Sequence, residues 1–187
     1  IPASSPNYSL RAPKYFAQTL NPYFGTWHAA NITYEHEGSC YRQVYQTNSC
    51  GARDKERPVV DATQSRVAVI GDSFIEGYGL SREERLTDLL EESTGVPHMN
   101  FATSGGFGST QEFLLYKHLV DSFSHEAIVI GCLPDNDFID DMPGSTNAYH
   151  PFWKGSYPNY ELQYNRAFRQ ETYNNRGFSF KLVMSRF

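Results

Sequence analysis

Three short segments of the sequence contain residue types suited to acyl-transfer chemistry. Gly71–Ser73 reads GDS, Ser104–Gly106 reads SGG, and Asn136–Phe138 reads NDF. A serine at the turn from a strand to a helix exposes its hydroxyl, and its backbone N–H points toward the same space. A glycine turn lets a second N–H approach a developing oxyanion, and an asparagine amide supplies a third donor. Each segment is common by itself, so the prediction depends on their being brought together.

The same segments follow three predicted strands. RVAVIG, VPHMNFA and EAIVIG are short apolar runs typical of buried strands, and they begin near Arg66, Val96 and Glu126. The intervening segments SREERLTDLLEESTG and GSTQEFLLYKHLVDSF predict amphipathic helices. A strand–helix–strand–helix–strand order is typical of α/β proteins with a parallel sheet. Because the carboxyl ends of parallel strands meet at one edge, we expect the three segments to lie side by side there.

The two helices carry their own start and stop signals. In the first, Ser81 is a candidate N-cap, Leu86 and Leu89 (with Leu90) form the predicted buried face, and Gly95 ends the helix. The apolar positions predicted for the second helix are Phe113, Leu114, Tyr116, Leu119 and Val120.

The rest of the chain has weaker periodicity. Residues 1–64 are predicted as an irregular lead-in that packs on the core, with a few short strands such as CYRQVYQT, and residues 65–187 as the α/β part of one structural domain. After Pro134 we expect a long polar and aromatic loop over the sheet edge, then an extended piece, and a helix around Phe178–Phe187. Three strands leave an open apolar edge, which predicts further chain or self-association to cover it.

Composition and charge exclude some classes of protein. The 187 residues carry a formal net charge of −5, which argues against a nucleic-acid-binding surface. No apolar run is long enough to span a bilayer, and a chain that begins at Ile1 leaves open a targeting or anchor segment removed upstream. Cys40 and Cys50 predict a disulfide slightly more than two free thiols, and Cys132 is predicted as a small core residue.

Taken in order, GDSFIEGYG, NFATSGG and NDF resemble the first three sequence blocks of the SGNH (GDSL-type) hydrolase family of lipases and acylhydrolases. TNSCGARD is similar to segments that precede this fold in exported members, and the resemblance covers roughly residues 46–141, about half the chain. It implies a flavodoxin-like three-layer fold with Ser73 as nucleophile, and an oxyanion hole made by the Ser73 N–H, the Gly105 N–H and the Asn136 amide.

The resemblance also implies a function. It is that of a serine esterase or acylhydrolase, or an acyl transferase, acting on an ester such as an O-acylated glycan or lipid. Neither a cofactor nor a metal is expected. The resemblance implies that the protein is exported, periplasmic or anchored to a membrane.

The sequence departs from the family in its last block, which pairs an aspartate with a histidine three residues later. None of the six histidines has an aspartate at that spacing. Without a base, a serine hydroxyl is a poor nucleophile near neutral pH. His150, in NAYHPFW, is the candidate substitute base within the chain. The alternatives are a base beyond Phe187 in a longer protein, a base from another chain, or a non-catalytic binding module.

Two further groups of residues have competing interpretations. The acids Asp135, Asp137, Asp140 and Asp141 are predicted to form a solvated loop rather than a cation site, since their spacing does not match an EF-hand loop. A set of aromatic residues either lines a sugar- or acyl-binding cleft or covers the sheet edge, and the sequence leaves both open. These residues are Tyr149, Phe152, Trp153, Tyr157 and Tyr160.

Overall fold

Two antiparallel hairpins lie in the segment predicted as an irregular lead-in with a few short strands. The structure, a computed structural model, describes residues 18–38, 40–145 and 149–168. The first hairpin pairs β1 (Gln18–Asn21) with β2 (Gly25–His28), and the second pairs β3 (Thr33–Glu37) with β4 (Arg42–Gln46). The strand predicted in CYRQVYQT is therefore confirmed as β4.

A parallel sheet of three strands follows, at the predicted positions. Its strands are β5 (Val67–Gly71), β6 (His98–Ala102) and β7 (Ala127–Gly131), in the spatial order β6-β5-β7. Both neighbours run parallel to β5, and Gly71 is level with Ala102 on one side and Gly131 on the other. The fold is thus mixed α/β, and the carboxyl ends of all three strands meet at one edge.

Short helices connect and follow these strands. They are α1 (Ser73–Glu76), α2 (Leu86–Thr94), α3 (Ser109–His118) and α4 (Asp137–Asp140), with single 3₁₀ turns at Arg82–Glu84 and Val120–Ser122. A third hairpin then pairs β8 (Pro151–Ser156) with β9 (Asn159–Tyr164). The loop predicted after Pro134 is therefore wrong in part, because it contains α4 and the hairpin. The predicted extended piece is confirmed by β9, and the helix predicted around Phe178–Phe187 lies outside the described residues.

The predicted end of the first helix at Gly95 is confirmed, whereas Ser81 caps a 3₁₀ turn rather than α2, and the predicted buried face is wrong. The Ser81 N–H donates to the Glu84 carboxylate, and Gly95 ends α2 with a left-handed φ of 70°. Leu86 and Leu89 are exposed, however, and Thr87 is the buried residue of α2. The reason is a break in the helix. Arg85 has an extended backbone and separates the 3₁₀ turn from α2, so the helical period counted from Ser81 does not continue into α2.

The core lies mainly on the face of the sheet that α3 covers. Leu114 and Leu115 of α3 pack there with Phe24 and Trp27 of the first hairpin and with side chains of β5 and β6. Phe113 is exposed, so its predicted place in the core is wrong. Side chains of the first hairpin are therefore part of the core.

Strand β7 forms an open edge, as the strand count predicted. In the described part of the chain no strand pairs with its outer side. Its apolar side chains are exposed as well: Ile128 by 41%, Val129 by 42% and Ile130 by 60%. Among the described residues, no helix combines the length and the apolar character needed to cross a membrane.

The cysteine predictions are both wrong. Cys40, Cys50 and Cys132 are free thiols, and Cys132 is exposed. Cys40 and Cys50 flank opposite ends of β4, and a five-residue strand extends about 17 Å, far beyond the Cα separation of about 7 Å that a disulfide allows. The Cys50 thiol instead donates to the Asn48 side chain over 3.1 Å.

Candidate functional site

Ser73 is the first residue of α1, directly after β5. Asp72 caps this helix: its side chain accepts a hydrogen bond from the Phe74 N–H over 2.9 Å. The turn is tight because α1 packs closely on the ends of β5 and β7. A Cβ added at Gly71 would lie 2.5 Å from Ile75 of α1, and one added at Gly131 would meet the same side chain. The two glycines therefore let α1, and with it Ser73, lie directly against the carboxyl ends of β5 and β7.

Gly105 lies in the loop after β6 and has a conformation that favours glycine. Its φ is 110°, and that of Gly106 is 76°. The N–H of the preceding Ser104 donates to the Glu76 carboxylate over 2.7 Å, which ties this loop to α1. A Cβ added at Gly106 would lie 3.5 Å from the Asp140 carboxylate, so the loops after β6 and β7 are neighbours.

Asn136 lies in the loop after β7, immediately before α4. Its side-chain N–H₂ is 3.4 Å from the Asp140 carboxylate, a long hydrogen bond, and its buried side-chain oxygen has no hydrogen-bond partner. Asp137 folds the loop back on itself by accepting a hydrogen bond from the Leu133 N–H over 2.7 Å. The Asn136 amide is therefore only weakly engaged within the protein.

The strand register brings the three predicted segments to one edge. Ser73, Gly105 and Asn136 follow the level positions Gly71, Ala102 and Gly131 by two, three and five residues. The sheet thus presents a partly buried serine, a left-handed glycine turn and a weakly engaged amide side by side. Such a set can supply a nucleophile and several hydrogen-bond donors to one bound group.

Three buried carboxylates lie near the carboxyl ends of the parallel strands. Asp72, Glu112 and Asp137 are all at least 97% buried, and each has one oxygen without a hydrogen-bond partner. Burial, and then the charges of Asp137, Asp72 and Asp141, raise the pKa of Glu112 to about 8. The predicted solvated acidic loop is therefore wrong for Asp137. Among the described residues, no three His, Cys, Asp or Glu side chains are arranged to hold a metal ion.

His150 lies beside the third loop. It is 2% exposed, and its Nε2 atom has no hydrogen-bond partner. Burial lowers the pKa of the imidazole, while a hydrogen bond with the Asp140 backbone and the carboxylates of Asp140 and Asp141 oppose that shift. The neutral imidazole, which is the form that accepts a proton, is thus favoured near neutral pH.

The other five histidines have partners that give them structural roles. His98 and His125 each hydrogen-bond a nearby backbone carbonyl, and His98 starts β6, at the opposite end of the sheet from Ser73. His118 stacks on Tyr23 with 3.9 Å between ring centres. The remaining two are buried: His36 stacks between Tyr41 and Tyr45, and His28 pairs with Glu76.

Sequence reasoning missed Glu76, which is 1% exposed and joins three parts of the molecule. One carboxylate oxygen accepts from the Ser104 N–H, and the other is 3.1 Å from His28 Nε2. Burial opposes its ionisation, but hydrogen bonds from His28 and Ser104 and the charges of His28 and Arg53 lower the pKa of Glu76 to about 2. The one signal in the sequence is an acid within the mostly apolar run FIEGYG.

The sequence was also compared with known proteins. No protein-family model matches it. No curated protein sequence matches it either.

Proposed function

We propose that the chain is an SGNH (GDSL-type) hydrolase domain in which Ser73 is the nucleophile. The strand order β6-β5-β7, with β5 first in sequence, is the 2-1-3 order of flavodoxin-like sheets. In such sheets, ligands bind at the carboxyl ends of the strands where the order reverses, which is here between β5 and β7. Ser73 follows β5 and Asn136 follows β7, so they flank that position.

The proposal depends mainly on one observation. Ser73, Gly105 and Asn136 each follow a strand of the parallel sheet, and the carboxyl ends of these strands lie level with one another. Ser73 Oγ attacks the carbonyl carbon of an ester and transfers its proton to a base. The N–H groups of Ser73 and Gly105 and the side-chain amide of Asn136 stabilise the oxyanion. The tetrahedral intermediate then expels an alcohol, which takes up the proton, and leaves an acyl-enzyme. Water releases the acid, or a sugar hydroxyl accepts the acyl group, by the same steps in reverse.

The base in this reaction is either His150 or a group outside the described residues. His150 is favoured within the described chain because it is the buried histidine with a free Nε2 next to the Asn136 loop. The substrates that suit the proposal are esters of glycans or lipids, met outside the cytoplasm. A partner that pairs with the open edge of β7, including a second copy of the chain, is part of the same proposal.

Labelling with a fluorophosphonate tests this function directly, because the reagent bonds to an activated serine. We expect mass spectrometry of the digested protein to place the adduct on Ser73, and Ser73→Ala to abolish it. Ser109→Ala is the matched control, since Ser109 is also the partly buried first residue of a helix. If the reagent leaves Ser73 unmodified in the folded protein, the esterase proposal is wrong.

A non-catalytic binding module is the second candidate. It is favoured by the missing Asp-x-x-His spacing and by the weak engagement of the Asn136 amide, which leaves a donor for a bound carbonyl. A glycan array separates the two candidates. Unchanged binding by Ser73→Ala, together with the absence of labelling, supports the module.

A further inference from the structure

The loop that contains Gly105 needs an outside restraint. Gly105 and Gly106 have positive φ and no side chains, so their position depends on neighbouring residues, which include the buried Thr103 and Phe107. A further fixed point is the Ser104 N–H, which donates to Glu76 Oε2 over 2.7 Å. The Gly105 nitrogen lies only three bonds further along the backbone, so the position of Glu76 sets where the Gly105 N–H can be.

Glu76 belongs to the same turn of helix as Ser73. Helix α1 has only four residues, from Ser73 to Glu76, so a movement of one end moves the other. Arg53 holds the far end of this turn: its Nη1 donates to the backbone carbonyls of Glu76, over 2.9 Å, and of Gly77, over 2.8 Å. The carboxylate of Glu76 therefore connects a fixed helix to the glycine loop.

His28 fixes the second oxygen of this carboxylate. His28 Nδ1 is 3.0 Å from the Gly51 carbonyl, which only accepts hydrogen bonds, so Nδ1 carries a hydrogen. His28 Nε2 lies 3.1 Å from Glu76 Oε1, a carboxylate oxygen that also only accepts, so Nε2 carries a hydrogen too and donates it to Glu76; the Thr103 hydroxyl lies 3.2 Å from Nε2. Burying a carboxylate lowers the stability of the fold unless the carboxylate is paired and hydrogen-bonded. The contacts of Glu76 with His28 and with the Ser104 N–H meet that requirement.

From this arrangement we propose that Glu76, held by His28, is a positioning residue that sets the Gly105 N–H relative to the Ser73 hydroxyl. The inference rests on the proposed function, in which these two groups act on one carbonyl. Glu76 does not touch the substrate. Its role is to place an oxyanion donor, so its loss acts on the transition state more than on initial binding.

Three substitutions at one position test the role. Glu76→Leu keeps the helix and the approximate volume but removes both hydrogen bonds. We expect it to lower the maximal rate of Ser73 labelling by about 10²-fold, the size of losing one oxyanion donor, with little change in the concentration for half-maximal rate. Glu76→Gln still accepts from Ser104, so it is expected to recover most of the rate. Glu76→Asp keeps the charge without the reach, and its rate should resemble that of the leucine variant.

Asp54→Asn is the matched control. Asp54 is also a buried carboxylate that pairs with a cation, Arg57, and accepts from a backbone N–H, that of Asn100. Within the described residues, the hydrogen bonds and ion pairs of Asp54 reach neither the loop that contains Gly105 nor the loop that contains Asn136. Its substitution is expected to lower stability while leaving the labelling rate of the folded protein unchanged. Equal loss of rate in Asp54→Asn and Glu76→Leu would reduce Glu76 to a structural role.

Amide hydrogen exchange gives a readout that does not require activity. We expect exchange at Ser104 and Gly105 to accelerate by about tenfold or more in Glu76→Leu and Glu76→Asp, and not in Asp54→Asn. Unchanged exchange in both Glu76 variants overturns the positioning role even if Ser73 is reactive. If wild-type Ser73 is unreactive but the exchange result holds, the proposed function fails and the link between Glu76 and the loop stands. If Glu76→Leu does not fold, the aspartate and glutamine variants are used for both the labelling and the hydrogen-exchange measurements.

Discussion

The guanidinium carbon of Arg53 lies 3.3 Å from the centre of the Tyr45 ring. This stacking holds the fork of the guanidinium toward the chain after α1, where it donates to the carbonyls of Glu76, Gly77 and Leu80. One side chain of the lead-in therefore closes the C-terminal end of the helix that begins with Ser73. A lysine has neither the planar fork nor the same stacking on an aromatic ring.

Arg53→Lys is accordingly expected to lower the free energy of unfolding by about 2–4 kcal/mol, because buried carbonyls lose charge-assisted hydrogen bonds. Urea unfolding followed by circular dichroism measures the change. Arg42→Lys is the control: Arg42 pairs with Glu35 on the surface, and its replacement should leave the unfolding midpoint in place. Equal effects of the two substitutions would contradict the role given to Arg53.

Gly105→Ala is expected to reduce Ser73 labelling more than its effect on stability explains. At a φ of 110° an alanine is strained by about 1–2 kcal/mol, and the loop relieves that strain by moving the Gly105 N–H. Gly95→Ala has a similar backbone penalty at the end of α2, where an added Cβ meets nothing within 4 Å. Labelling rates of both variants, measured well below their melting temperatures, separate loop position from general destabilisation. A similar rate in both would place Gly105 outside the site.

Glu112→Gln should stabilise the protein at neutral pH and not in acid. The folded pKa of Glu112, about 8, lies above the ordinary value of 4.5 for a glutamate, so its contribution to stability is complete below 4.5 and is lost as the pH rises toward 8. Glutamine resembles the protonated carboxyl and does not titrate. The melting temperatures of the variant and the wild type should therefore agree near pH 4 and diverge progressively up to pH 8. A constant difference across this range would contradict the burial of an ionisable Glu112.

His150→Gln tests whether this histidine is the base. Burial lowers the pKa of His150, so wild-type labelling of Ser73 should hold its rate as the pH falls through 6.5 and decline only in more acidic solution. In the glutamine variant, Ser73 should be labelled much more slowly, and the labelling rate should no longer decline in acidic solution. His118→Gln, at an exposed position, should leave the profile unchanged. A wild-type profile retained by His150→Gln would assign the base to another group.

The sequence predicted the features that depend on local patterns. The three apolar runs ending in Gly71, Ala102 and Gly131 are strong strand signals, and parallel order follows from the helices between them. The convergence of Ser73, Gly105 and Asn136 follows from that order. These elements could be predicted because each signal lies within a few residues of the feature it determines.

The features that were missed depend on distant parts of the chain. Glu76 is paired with a histidine 48 residues earlier, and no local pattern indicates that contact. The buried face of α2 was misplaced because a 3₁₀ turn reset the helical period at Arg85. The hairpin of β8 and β9 was missed as a hairpin because β8, which reads PFWKGS, lacks the alternation of apolar and polar residues that predicts a strand; β9, which reads NYELQY, has that alternation and was predicted only as an extended piece.

The dependence of α1 on His28, Gly51 and Arg53 means that residues 18–58, about a fifth of the chain, could be supplied as part of a separate piece. Cutting the backbone in the exposed stretch around Val59 and Val60 would yield two pieces that meet through the Glu76 pair and the core around Trp27. We expect each piece to be poorly structured by itself and the mixture to regain the fold. On the proposed function, reassembly of the two pieces would then be measured by the return of Ser73 labelling.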